Sequence, residues 1–205
     1  MPELERELSA NRSTALELRE ERHLVQEGYE FLDEKRILLA TEILRGLERY
    51  RHARAAWLAL HRDAGAALLD AAARHGLDAL IVYPGQALAE FRIALRTRRA
   101  MGIAIVEAQA AVTASGSSQA IDPSPEAHAC GAIHLELMRE AVPLAALERS
   151  LRRLAAEYRR TERRARALEN VLMPELEQAL RFVEEQLELY ELEENVRVHE
   201  ASPEL

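Results

Sequence analysis

The sequence predicts a mainly α-helical protein: a long antiparallel two-helix coiled coil formed by the N- and C-terminal helices, with a small middle head containing a short β-hairpin. Three observations lead there. Apolar or small residues recur at alternating steps of three and four through most of the last third of the chain. A seven-residue recurrence runs through the first third. Aromatic residues make up only 4% of the 205 positions, while Ala, Leu, Glu and Arg dominate, the composition of long helices rather than of a sandwich.

Taken in order, Pro2 to Ala10 reads as a frayed helical lead-in. Ser13 and Thr14, with Glu17 three places beyond Thr14, supply a capping box for the first long helix. One heptad line then carries Leu18, Val25, Leu32 and Leu39. A second carries Ala15, Tyr29, Ile43, Tyr50 and Trp57, interrupted by Arg22 and Arg36. The pattern continues through the Ala-rich turns from Ala64 to Ala73, and Gly76 stops it. A helix of roughly 60 residues is about 90 Å long, so it needs a partner of similar length.

The middle has a different texture. Pro84-Gly85 marks a turn. Phe91, Ile93 and Leu95 alternate with Arg92, Ala94 and Arg96, the period of a half-buried strand. Arg98 to Gly102 turns the chain, and Ile103 and Ile105 alternate again, giving a β-hairpin near residues 90–106. Thr113 to Gln119 reads as a loop. Asp122-Pro123 caps the next helix.

The last third supplies the partner. Leu147, Leu151, Leu154, Tyr158, Thr161, Ala165, Leu168 and Leu172 form one seam, which resumes after Pro174 at Leu176, Ala179, Val183, Leu187 and Tyr190. Pro143 and Pro174 are expected kinks or breaks, and Ala201 to Leu205 a loose tail. The expected divisions are therefore an N-terminal helix at 1–73, a head at 74–143, and a C-terminal helix with its tail at 144–205.

Net charge and cysteine content limit the function classes. A formal charge of −8 argues against a general nucleic-acid binder. The single Cys130 forms no internal disulfide, which fits a reducing cytosol. No apolar run approaches the roughly 20 residues that span a bilayer. His128, Cys130 and His134 lie close together but lack a fourth ligand at matching spacing. No phosphate loop, His-Glu-x-x-His or Gly-x-Ser-x-Gly pattern occurs. No catalytic residue, metal or cofactor is expected.

Three segments carry a family resemblance. Glu27-Gly28-Tyr29-Glu30-Phe31-Leu32-Asp33-Glu34-Lys35-Arg36 resembles the opening motif of the D subunit of the V/A-type rotary ATPases. Thr161-Glu162-Arg163-Arg164-Ala165-Arg166-Ala167-Leu168-Glu169, followed by Pro174, is similar to that family's C-terminal signature. Arg98-Arg99-Ala100-Met101-Gly102-Ile103 is similar to its hairpin tip. The sequence departs where the family usually has Val-Asn, here Ala165-Arg166, and lacks a proline common just after the hairpin, near Val106.

The resemblance implies a central-stalk rotor component without an active site of its own, transmitting torque between a nucleotide-binding hexamer and a membrane ring. Its implied partners are the catalytic and non-catalytic hexamer subunits, the small central-stalk F subunit and a socket protein above the ring. Its implied location is cytoplasmic, peripheral to the membrane. Carried over residue by residue, the contact candidates are Gly28, Tyr29, Leu32, Lys35, Arg36, Met101, Gly102, Thr161, Arg163, Arg164, Leu168, Glu169 and Pro174. The rival readings are a secretion-system stalk, a static helical scaffold and, in a third class, a small helical metalloenzyme.

Two candidates have a physical rationale of their own. Gly28 is costly inside a helix, and antiparallel pairing places it near Leu172 to Pro174, where a kinked helix presses in. Lys35 is the single lysine among arginines, and a compact ammonium is not interchangeable with a guanidinium. Charge is also segregated. Arg149, Arg152, Arg153, Arg159, Arg160, Arg163, Arg164 and Arg166 form a basic band beside Arg45, Arg49, Arg51 and Arg54. Glu17, Glu20, Glu21, Glu27 and Glu30 face Glu175, Glu177, Glu184, Glu185 and Glu188. Like charges opposed on packed helices are relieved by a surrounding surface of opposite sign, which suggests an acidic collar around the basic band.

Overall fold

The computed structural model describes residues 11–82, 88–114 and 123–201. In chain order these form α1 (Arg12–His75), α2 (Leu77–Val82), β1 (Leu88–Ala100), β2 (Ile103–Ala114), α3 (Pro125–Ala167), a π-helical turn (Leu168–Leu172) and α4 (Met173–Ala201). They divide into two compact units, one comprising Met1–Leu38 with Tyr158–Leu205, the other Leu39–Glu157. Long N- and C-terminal helices and one two-stranded antiparallel sheet match the expected fold class. The expected lead-in, the Pro84-Gly85 turn, the Asp122 cap, most of the Thr113 to Gln119 loop and the end of the tail lie outside the described residues.

In the terminal unit, α1 opens one turn earlier than the expected capping box. Asn11 is the cap: its Oδ1 accepts the Thr14 N–H at 2.7 Å and the Thr14 hydroxyl at 3.0 Å, satisfying an otherwise orphaned donor. Ser13 instead donates to Glu17 at 3.2 Å. The core of this unit is Ala15, Leu18, Leu176, Leu180 and Val183, with Val25, Leu172, Ala179, Phe182 and Leu187 packed against it. Leu180 is buried although it lies off the expected seam, and Tyr190, on that seam, is exposed.

The reason is the π turn. Up to Leu172 the seam steps by three and four, and the next step, to Leu176, is one residue too long. The turn at Leu168–Leu172 absorbs it, with the Met173 N–H reaching back to the Leu168 carbonyl, five residues away instead of four. Pro174, which brings no main-chain N–H, follows the widened turn at once. Pro143, in contrast, breaks nothing: α3 runs through it.

In the middle unit, Ala64 and Ala71 are buried, two heptad steps that extend the Tyr50–Trp57 line. Gly76 ends α1 at φ +74° and donates to the Ala72 carbonyl at 2.8 Å, the left-handed stop that glycine adopts without a Cβ penalty. Ser124 caps α3 by accepting the Ala127 N–H at 3.1 Å, with Pro125 at the first helical position.

The hairpin is longer than its 90–106 core. Its register pairs Phe91 with Val112, Leu95 with Ala108, Thr97 with Val106 and Ala100 with Ile103, so Arg98, Arg99 and Ala100 belong to β1. The turn is Met101-Gly102 alone, both at positive φ (51° and 80°), as a two-residue hairpin turn requires. The expected half-burial of the Phe91–Ile93–Leu95 face is met in part: Ile93 is 52% and Leu95 66% exposed, whereas Ile105 and Ala108 on β2 are buried. Phe91 is half-buried as expected, and the hairpin docks through β2, which leaves Ile93 and Leu95 at the open side of their face.

Candidate partner-contact surfaces

In the terminal unit, α1 and the C-terminal helix run antiparallel. Moving forward along α1, Arg12 reaches Glu191 at 2.8 Å, Arg19 reaches Glu184 at 2.5 Å, and the Tyr29 hydroxyl donates to Glu169 at 3.3 Å. The Glu191 hydrogen bond and charge hold the Arg12 guanidinium above its usual pKa. The Glu169 charge, ahead of burial, raises the Tyr29 phenol above its usual value. These cross-helix pairs modify the expected opposition of like charges, because Arg19 lies within the acidic stretch and meets Glu184 directly, with Arg12 on Glu191 just beyond it. Within the basic band, Arg152 and Arg166 pair with Glu148 and Glu162 four residues earlier on their own helix.

Two of the three motif segments meet here. Gly28 is half-buried, and a Cβ built on it lies 3.6 Å from Leu168 Cδ1, an ordinary contact. Its neighbour is thus Leu168, one turn from the expected Leu172 to Pro174. Leu32 and Lys35 are half-buried. Arg36 pairs with Asp33 at 2.5 Å on its own helix. Thr161 is almost wholly buried, Arg163, Arg164 and Glu169 are exposed, and Leu168 and Pro174 are half-buried. Met101 and Gly102 belong to the middle unit, with Met101 half-buried and Gly102 exposed.

The middle unit holds contacts that the sequence did not disclose. Among the described residues, Gly46 is the glycine with a true close approach: a Cβ there would come 2.8 Å from Leu151 Cδ2. The Trp57 indole N–H donates to the Leu137 carbonyl at 3.2 Å. The Ser150 hydroxyl accepts the Val106 N–H at 3.0 Å and donates to the Val106 carbonyl at 3.1 Å. With Arg153 on the Ala104 carbonyl at 3.4 Å, this ties the outer edge of β2 to α3. Arg98 reaches Glu42 of α1. Ser150 and Gly46 gave no distinctive signal, since a buried serine in a heptad reads like any small residue.

Where α1 ends, His75 and Ser124 lie 2.7 Å apart and Arg74 pairs with Glu126 at 3.6 Å. A hydrogen bond from its own main-chain N–H, helped by Arg74, lowers the Glu126 pKa against an opposing effect of burial. His134 Nδ1 lies 2.8 Å from the Cys130 carbonyl and 3.6 Å from its sulfur, a local helical contact. Burial raises the Cys130 thiol pKa. Among the described residues no three His, Cys, Asp or Glu side chains converge as a metal site, and no helix is long and apolar enough to cross a membrane.

Antiparallel helices paired through an apolar seam, with ion pairs along their flanks, define a coiled-coil protein. The family model for the ATP synthase D subunit matches residues 14–201, and the chain belongs to that family. It is 26% identical over 203 residues to the A-type ATP synthase D subunit of Methanopyrus kandleri, covering 96% of this chain and 86% of that one. It is 24% identical over 199 residues to the V-type ATP synthase D subunit of Thermotoga neapolitana, covering 93% and 95%. A shorter match, 38% identical over 63 residues, links it to the A-type ATP synthase D subunit of Pyrococcus horikoshii, covering 31% and 29%. Family membership makes the protein part of an ATP synthase complex.

Proposed function

We propose that this protein is the central rotor shaft of a V/A-type rotary ATPase, carrying torque between nucleotide chemistry in a hexameric head and ion translocation through a membrane ring. In this reading it is non-catalytic and lies on the cytoplasmic side, peripheral to the membrane. Its partners are the catalytic and non-catalytic nucleotide-binding subunits, the small central-stalk F subunit and the socket protein above the ring. The observation that supports it best is the antiparallel pairing of the N- and C-terminal stretches, with Arg12 on Glu191 and Arg19 on Glu184 over the Ala15–Leu18–Val183 core. Two strands of helix locked along their length resist twisting better than one.

The motif residues from Gly28 to Arg36 and from Thr161 to Pro174, with Met101 and Gly102, are the proposed contact positions. The exposed arginines of the basic band, Arg159, Arg163 and Arg164 among them, would face an acidic collar. Gentle purification with mass spectrometry of the co-purifying subunits tests the assembly. Removing residues 1–10 and 191–205 together tests the shaft: hydrolysis should persist and lose its coupling to ion movement. Full coupling after that truncation argues against a shaft whose paired ends engage the hexameric head. Recovery without any nucleotide-hydrolysing subunits argues against the whole reading.

A further inference from the structure

We propose that the outer edge of β1 accepts an extended acidic segment of a partner protein as a third strand. The register fixes which main-chain groups are available. Both the N–H and the C=O of Val106 turn away from β1, since both bond Ser150. Val106 is paired with Thr97, so this is a non-hydrogen-bonded pair, and Thr97 must also turn its N–H and C=O outward. Alternation then gives Leu95 and Ile93 the same outward direction. No hydrogen bond to the main chain of Ile93, Leu95 or Thr97 occurs among the described residues, and every residue from Arg92 to Arg99 is exposed.

The two edges of the hairpin are therefore treated differently. That of β2 is covered by Ser150 and Arg153 of α3, whereas that of β1 is long, open and partly apolar, the kind of edge that pairs with another strand. The side chains define what fits. Ile93 and Leu95 lie on one face, and Arg92, Arg96 and Arg98 on the other. Arg98 is engaged by Glu42. Arg96 makes no ion pair among the described residues, although Glu107 stands opposite it in the register. An added strand places alternate side chains on the two faces. Its complement is an alternating sequence, apolar beside Ile93 and Leu95 and acidic beside Arg96. This inference stands apart from torque transmission and holds or fails without it.

The test uses the full chain and a synthetic peptide of about ten residues alternating glutamate and valine, followed by calorimetry. Saturable one-to-one binding that weakens with added salt is expected. Methylating alternate peptide nitrogens in one frame should abolish binding, while methylating the other frame leaves it intact. Leu95→Pro removes an outward N–H without touching the hairpin ladder and should weaken binding about tenfold or more. Arg96→Glu keeps every main-chain group and should weaken it as well. Equal binding by both methylated frames, or by a polyglutamate of the same charge, would overturn the proposal. So would indifference to both substitutions, or no saturable binding up to about 1 mM, which leaves the arginines as guards against aggregation.

Discussion

Leu151 packs against the bare α-carbon of Gly46, leaving 2.8 Å between its Cδ2 and the place where a Cβ would sit. Glycine inside a helix costs about 1 kcal/mol relative to alanine, and overpacking costs about 1–3 kcal/mol. Gly46→Ala is therefore expected to destabilise by up to about 2 kcal/mol. Gly65 has no neighbour within 4 Å of a built Cβ, so Gly65→Ala should stabilise by about 1 kcal/mol. Urea midpoints of the two variants should move in opposite directions.

Gly28 separates folding from assembly. Its contact with Leu168 leaves room for a methyl group, so Gly28→Ala should raise the stability of the isolated protein by about 0.5–1 kcal/mol. If the position is reserved for a partner, the same variant assembles less well into the complex. A stabilised variant that also assembles normally would remove Gly28 from the contact surface.

Ser150 is 2% exposed and serves both polar groups of Val106. Ser150→Ala leaves a half-buried N–H unpaired and should cost about 1–3 kcal/mol. Hydrogen exchange at the Val106 amide should accelerate more than at amides of the ladder between β1 and β2.

The indole of Trp57, the only tryptophan, bonds the Leu137 carbonyl. Trp57→Phe should cost about 1 kcal/mol. In the parent protein, tryptophan fluorescence should report unfolding of the middle unit specifically, and a fluorescence transition should follow the loss of Val106 protection.

The lowered pKa of Glu126 gives the pH dependence a sign. Its folded value lies below its unfolded one, so in the acid range the unfolded chain binds the extra proton. The stabilisation is present above the ordinary carboxylate pKa and is lost as pH falls through the folded value. Glu126→Gln should flatten the acid limb of the stability profile and leave the slope near neutrality unchanged. An unaltered acid limb would show that Glu126 is not the group responsible.

Sequence periodicity was most reliable where side chains face another helix. The line Leu18, Val25, Leu32 and Leu39 and the seam through Leu154, Thr161 and Ala165 are buried or half-buried as the spacing implies, because a narrow apolar stripe has one way to leave water. It was least reliable where the burying surface is a backbone. The β2 edge is satisfied by Ser150, and no pattern announces a hydroxyl that serves a strand 44 residues away. Alternation in β1 matches the strand and the half-burial of Phe91 but not the exposure of Ile93 and Leu95, since periodicity reports which residues share a face and is silent on what covers it. Gly28 stood out through its motif, whereas the tighter approach at Gly46 required coordinates.

The wide turn at Leu168–Leu172 has a consequence for how the C-terminal helices wind. From Thr161 to Leu176 the apolar positions advance about 3.75 residues per turn when averaged, a spacing that would coil a regular helix in the right-handed sense. Confining the surplus residue to a single loosened turn lets the flanking stretches keep their heptad spacing and with it the left-handed sense. The chain thus resets its phase in one place instead of unwinding gradually, and the residues on either side can pack as though the interruption were not there.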